Sequence, residues 1–122
     1  MSRFAARIRP HVEQALREAD AADRGRDPAR AFSLLERAHV LGQAATSHHV
    51  RVHWRMFVWG WRHRDLRECA GQLVRIVGAA TKTAFGWVPT GNTGGARLSP
   101  FQPLPVAPEL AALIDEARRP EK

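Results

Sequence analysis

The chain has 122 residues, enough for one modest hydrophobic core but not for two independent ones. Its formal net charge of +7 comes from 19 Lys and Arg against 12 Asp and Glu, and these residues are interleaved rather than collected in a basic stripe, which disfavours nucleic-acid binding. The single cysteine excludes an internal disulfide, the first residues do not resemble a signal peptide, and no apolar run is long enough to span a membrane. We therefore expect a cytoplasmic protein that does not contact the membrane.

The first predicted element is a helix, because apolar residues recur at spacings of three and four rather than in strand-like alternation. It should run to about Asp23 from one of two starts, Pro10 or Ser2, with a kink at the proline in the second case. Gly25 is expected to end it. The residues that this helix should bury are Ile8, Val12, Ala15, Leu16 and Ala19.

A second helix is predicted from Pro28 to about Leu41. Asp27 is a typical N-cap, because its carboxylate can accept a hydrogen bond from a free amide of the first turn. Pro28 suits the first helical position, where a missing N–H costs nothing. Gly42 is the expected stop.

The third predicted helix follows Thr46 and Ser47, either of which can cap it, and runs to about Trp61. Apolar side chains lie on almost every side of this helix, so we expect it to be the central and most buried one, with its tryptophans as core anchors. These apolar residues are Val50, Val52, Trp54, Met56, Phe57, Val58, Trp59 and Trp61.

A fourth helix is predicted to begin at Asp65, with Glu68 three residues later in capping-box spacing. Its periodicity indicates one apolar, buried face, formed by Leu66, Cys69, Leu73, Ile76, Val77 and Ala80. Since Cys69 lies on that face, we interpret it as a small, inert thiol rather than a nucleophile or a ligand.

Glycine and proline dominate the chain after Phe85. Residues 85–108 are predicted to form a long irregular arm packed on the core through its apolar residues, and residues 109–118 a short terminal helix. With a helical core over residues 1–84, this predicts a single all-α domain. Its four antiparallel helices form two helical hairpins, packed as a bundle or as a tetratricopeptide-like pair.

One constellation of side chains has the chemistry of a metal site. Glu36 and His39 are three residues apart on the second helix, and His49 and His53 are four apart on the third, so each pair lies on one helix face. Glu-x-x-His occurs in di-iron bundles and His-x-x-x-His in zinc-binding helices. The connection between the two helices is short, so we expect the pairs to face each other and interpret them as a transition-metal site.

His49 and His53 also interrupt an apolar stripe that contains Val52, Met56 and Gly60, so both imidazoles should be buried. A buried polar group without a partner costs about 1–3 kcal/mol, so these side chains must bind one another or a shared cation. Besides exposed histidines without a special role, two interpretations stay open. The first is a metal ion, which these ligand types allow to be zinc, iron, copper or nickel. The second is a metal-free hydrogen-bonded network in a helical module that binds another protein or a second copy.

The remaining histidines are weaker ligand candidates. His48 points about a hundred degrees away from His49 around the helix axis and is expected at the surface. His63 lies in a turn, and His11 is on the first helix, where nothing directs it to the site. The glycine-rich loop at residues 91–95 lacks the consecutive Lys-Ser/Thr pair of a phosphate-binding P-loop, and we interpret it as a turn.

Several strings together resemble a small family of uncharacterised bacterial proteins, classed as a domain of unknown function. They are LERAHVLGQ at residues 35–43, the spaced His49 and His53 with Met56, RDLRECAGQLVRI at residues 64–76, and GNTGG followed by SPFQPLPV. The similarity covers residues 29–113, although Leu104 stands where the family more often has methionine. The resemblance implies no defined activity. Its members occur beside heavy-metal resistance genes, which favours a role in metal handling or resistance.

Overall fold

The computed structural model describes residues 2–82 and 106–120, which contain five helices and no strand. The helices are α1 (Arg3–Arg24), α2 (Pro28–Gly42), α3 (Thr46–Arg62), α4 (Leu66–Lys82) and α5 (Pro108–Arg118). The predicted all-α class is confirmed. Most of the predicted arm, residues 85–105, lies outside the described residues.

The first hairpin begins and turns where local signals predicted. Of the two proposed starts of α1 the earlier one is observed, because the Ser2 hydroxyl accepts the Ala5 N–H at 3.0 Å and the helix continues through Pro10. At the start of α2, the Asp27 carboxylate accepts the Arg30 N–H at 3.1 Å, as expected of its N-cap.

In the second hairpin only one of the two predicted caps forms. Thr46 and Ser47 do not cap α3; its N-cap is Ala45, which makes no side-chain hydrogen bond. Asp65 does cap α4, since its Oδ1 accepts the backbone N–H of Glu68 at 3.0 Å.

The helices pair as predicted from the short connections. α1 packs along α2, α3 packs along α4, and contacts between α2 and α3 join the two hairpins. α5 lies against α1 and α2. Among the described helices α4 contacts α3 alone, so its position depends on that one interface. None of the described helices has the length and apolar character needed to cross a membrane.

The hydrophobic core lies between α1 and α2 and is completed by α3 and α5. Its largest fully buried side chains include Ile8, Leu16, Leu41 and Met56. All the α1 residues that periodicity assigned to the interior are buried. No described side chain of α4 belongs to this core cluster. Most of the cluster's residues come from α1 and α2, the two helices of the first hairpin.

α3 is not buried on almost every side, contrary to the prediction. Trp54 and Trp61 are 52% and 68% exposed, and the buried residues of α3 form one stripe that ends at Gly60. Trp59 is half-buried, and its indole N–H donates to the carbonyl of Pro28 at 3.1 Å. Of the tryptophans in α3, only this one anchors the helix to its neighbours.

α4 is rotated relative to the prediction, and Cys69 is the one described residue of the predicted apolar face that is buried. Leu66, Leu73 and Val77 were assigned to the interior and are 70%, 52% and 67% exposed. The buried side chains are mostly polar or charged: Glu68, Cys69, Gln72 and Arg75. The physical reason is the partner, since the α3 surface that α4 covers carries an imidazole rather than only apolar groups. The Ala80 side chain lies outside the described part.

Candidate metal centre

His39, His49 and His53 meet in the interior between α2 and α3. Nε2 of His39 lies 3.0 Å from Nε2 of His49 and 3.1 Å from Nε2 of His53. The ring centroids of all three pairs are 4.7–4.8 Å apart. Each imidazole offers one nitrogen to a group of ligand atoms that lie within 4.8 Å of one another. The structure therefore brings three of the four predicted ligands together.

The close approach of α2 and α3 depends on a glycine at the end of α2. A Cβ atom at Gly42 would lie 2.8 Å from Cβ of His48 and 3.3 Å from Cγ2 of Val12, so a larger residue would push the helices apart. Sequence analysis assigned Gly42 only the role of a helix stop. In the structure it also lets His39 reach the two histidines of α3.

All three imidazoles are withdrawn from water, with exposed fractions of 3% for His39, 9% for His49 and 2% for His53. Burial, together with the nearby His53, lowers the pKa of His49 to about 3. Burial also lowers the pKa of His53 to about 4, with a hydrogen bond to Gln72 opposing the shift and the positive charge of Arg75 adding to it. His49 and His53 are therefore neutral at pH 7 and can act as metal ligands.

The hydrogen bond of His53 fixes the position of its proton. Nδ1 of His53 lies 2.5 Å from Oε1 of Gln72, and an amide oxygen can only accept a hydrogen bond. The proton of the neutral ring is therefore on Nδ1, which leaves the lone pair of Nε2 directed at His39. Ring nitrogens that converge at 3.0–3.1 Å repel one another unless a proton or a cation lies between them.

Glu36, the fourth predicted ligand, does not join this group. It is half-buried and lines a surface cleft together with Arg37 of α2 and Glu109 of α5. A spacing of three residues leaves about 60° between two side chains around the helix axis, enough to place Glu36 and His39 in different surroundings. The arrangement thus offers three imidazoles and no carboxylate from α2.

The other histidines have structural partners. His48 is 3% exposed rather than at the surface as predicted, and its Nε2–H donates to the carbonyl of Ala5 at 2.8 Å, which ties α3 to α1. His63 lies in the predicted turn, where its Nε2 is 2.7 Å from the Asp23 carboxylate. His11 is half-buried on α1 and is not part of the cluster.

Sequence analysis missed the polar residues of α4 that face this region. Gln72 is fully buried, and Glu68 and Arg75 are only 4% and 7% exposed. Their spacing of four and three residues places them on one helix face, a signal that was present in the sequence but was not used. Burial lowers the pKa of Arg75, and the Glu68 carboxylate opposes that shift, so two opposite charges lie under this face.

Cys69 is buried on the same side of α4, as predicted. Its Sγ lies 3.6 Å from the carbonyl of Phe57, to which the thiol donates. Burial raises the pKa of the thiol, and the carboxylates of Asp65 and Glu68 raise it further. The sulfur is therefore kept as a thiol and does not belong to the histidine group.

Comparison with known proteins places the chain in a family without assigning it an activity. No curated protein and no solved structure matches it. A family model described as "Protein of unknown function (DUF3703)" matches residues 6–114, a span that contains the three histidines and all of α4. The chain therefore belongs to this family of unknown function.

Proposed function

We propose that this protein binds a transition-metal ion through the Nε2 atoms of His39, His49 and His53 and acts in metal handling. The observation that carries the proposal is that Nε2 of the buried His39 lies 3.0 Å from Nε2 of His49 and 3.1 Å from Nε2 of His53, with the ligand atoms of all three residues within 4.8 Å of one another. Imidazole is a preferred ligand of zinc, copper, iron and nickel ions. Because His49 and His53 are neutral, an ion would not have to displace protons from them at pH 7.

The spacing of the nitrogens is close to that of ligand atoms around a metal ion. Metal–nitrogen bonds of about 2.0–2.1 Å in tetrahedral geometry separate two ligand nitrogens by about 3.3 Å. The two separations from Nε2 of His39, 3.0 and 3.1 Å, are slightly shorter, and the third pair lies within 4.8 Å, so the imidazoles would rotate to bring all three nitrogens to this spacing. An ion held by three ligands keeps one tetrahedral position for water or an incoming donor, which supports exchange or transfer of the ion rather than a closed structural site.

Elemental analysis of untagged protein, followed by zinc titration of the metal-free form, tests the proposal. We expect one equivalent of a transition metal per chain, and at least about a hundredfold weaker zinc binding in His49→Ala and His53→Ala variants. His63→Ala is the matched control, because His63 is an exposed histidine bound to Asp23. Absence of binding at micromolar zinc, or equal losses in all three variants, would remove the proposal.

The competing function is a helical interaction module in which the histidines form a core network without metal. The observation that favours it is the exposed apolar surface of α4, where Leu73, Val74 and Val77 are 52%, 69% and 67% exposed. Under this alternative, the His49→Ala and His53→Ala proteins lose stability but no metal affinity, because the wild-type chain has none to lose. The same titration therefore decides between the two functions.

A further inference from the structure

Gln72 occupies an unusual position for an amide side chain. It is fully buried at the interface of α4 with α3, where a long apolar residue would normally pack. Burying an amide is unfavourable unless its polar atoms are bonded. Its Oε1 accepts the Nδ1–H of His53 at 2.5 Å, so one of the bonds that compensate its burial is made to one of the three proposed ligands.

We infer that Gln72 is a positioning residue of the proposed metal centre, which holds His53 in the tautomer and ring orientation that turn its Nε2 toward the ion. The inference rests on the proposed function. Gln72 itself provides no ligand. It acts through His53, in the way that carboxylates or carbonyls behind metal-bound histidines orient the ring in other proteins.

The choice of tautomer matters because a neutral imidazole has one proton and two nitrogens. If the proton were on Nε2 of His53, it would point toward His39, 3.1 Å away, and would block that nitrogen as a ligand. A bound acceptor at Nδ1 removes this competing state. α4 thereby becomes part of the centre although it supplies none of the three nitrogens.

The charges beside Gln72 indicate how the centre can be tuned. The guanidinium of Arg75 lies close enough to act on His53, and this positive charge opposes the binding of a cation. A Gln72→Glu substitution keeps an acceptor opposite Nδ1 and adds a negative charge. A Gln72→Leu substitution keeps a similar volume and removes the acceptor. The two variants should therefore shift metal affinity in opposite directions.

Zinc titration of the two variants is the first test. We expect Gln72→Leu to bind zinc about 10–100-fold more weakly than wild type, and Gln72→Glu to bind it more tightly. Cys69→Ala is the matched control, because Cys69 lies on the same buried side of α4 but contacts Phe57. Its zinc affinity should be unchanged even if its melting temperature falls.

The outcomes distinguish a failure of the positioning role of Gln72 from a failure of the proposed metal binding. If wild type binds zinc and both Gln72 variants bind it equally well, the positioning role is wrong while the proposed function stands. If wild type binds no metal, the proposed function fails and the inference fails with it. A loss of affinity in Cys69→Ala equal to that in Gln72→Leu would also overturn the positioning role, since general loosening of α4 would then explain both.

Nitrogen NMR of the metal-free protein gives a readout that does not depend on metal binding. At pH 7.5 we expect the ring of His53 to carry its proton on Nδ1 in wild type and to shift toward the Nε2-protonated tautomer in Gln72→Leu. A purely structural Gln72 would not change the tautomer in a variant that remains folded by circular dichroism. Finding the proton of wild-type His53 on Nε2 would overturn the inference.

Discussion

The two hairpins have similar helices and short connections, but α1 of the first and α4 of the second bury different kinds of residues. The first buries apolar side chains of α1, such as Ile8 and Leu16, against α2. In the second, α4 buries Gln72 and Arg75 and leaves Leu73 exposed. The difference teaches that an amphipathic pattern identifies two faces of a helix, while the surface it packs against decides which one turns inward.

The histidine group lies where the two hairpins meet, since His39 comes from α2 and His49 and His53 from α3. The imidazoles thus take the place of apolar contacts at this junction, and the Gln72 amide of α4 forms a hydrogen bond with one of them, His53. The hairpins should consequently respond differently to acid, to loss of a leucine and, to a smaller extent, to loss of a cap.

Acid should have the largest effect, and it should act through the histidine junction. Below pH 6.5, His49 and His53 become protonated in the unfolded chain. In the folded chain they stay neutral until the pH approaches their pKa values of about 3 and 4. The unfolded state then holds more protons, so the free energy of unfolding falls as pH falls, by about 1.4 kcal/mol per pH unit and per histidine. Between pH 7 and pH 5 we expect a total loss of about 3–4 kcal/mol.

Urea unfolding of the metal-free protein in a chelator, followed by circular dichroism at pH 7, 6 and 5, measures this loss. A His53→Leu variant removes one of the two groups and should show about half the pH dependence. A flat profile in wild type between pH 7 and pH 5 would mean that the imidazoles are not protected from protons in the folded chain.

Leucine-to-alanine substitutions in α1 and α4 sharpen the comparison at constant pH. Leu16 is 2% exposed in the core, so Leu16→Ala should cost about 2–5 kcal/mol in the free energy of unfolding. Leu73 is 52% exposed, so Leu73→Ala should change it by less than about 1 kcal/mol. Urea unfolding at pH 7 measures both. Equal costs would show that the outer face of α4 is covered in solution.

Removing the N-caps should have the smallest effect on the free energy of unfolding. The effect should be similar in the two hairpins. Asp27 and Asp65 each accept a backbone N–H three residues later, at 3.1 and 3.0 Å. Asp27→Ala and Asp65→Ala should each lower the free energy of unfolding by about 1 kcal/mol, and Asn at either position should restore most of it. If only one of the two substitutions lowers the free energy of unfolding, α2 and α4 do not depend equally on their N-caps.

The sequence by itself determined the helices and most of the histidine group. Caps and breakers such as Ser2, Asp27 and Asp65 act over three or four residues, so their effect can be predicted locally. The burial of His49 and His53 was also predictable, because the stripe that contains them is apolar on both sides of each imidazole. Thr46 lies within α3 instead of capping it, so a residue type that favours capping does not by itself fix where a helix begins.

Only the tertiary structure decided which polar groups accompany the imidazoles. The rotation of a helix about its own axis is set by its neighbours, and a difference of about 60° leaves Glu36 outside the group. Gln72 forms a hydrogen bond with His53, 19 residues away in the sequence, and the buried His48 donates one to the carbonyl of Ala5, 43 residues away. Such contacts follow from the packing of whole helices, which spacing within one helix does not specify.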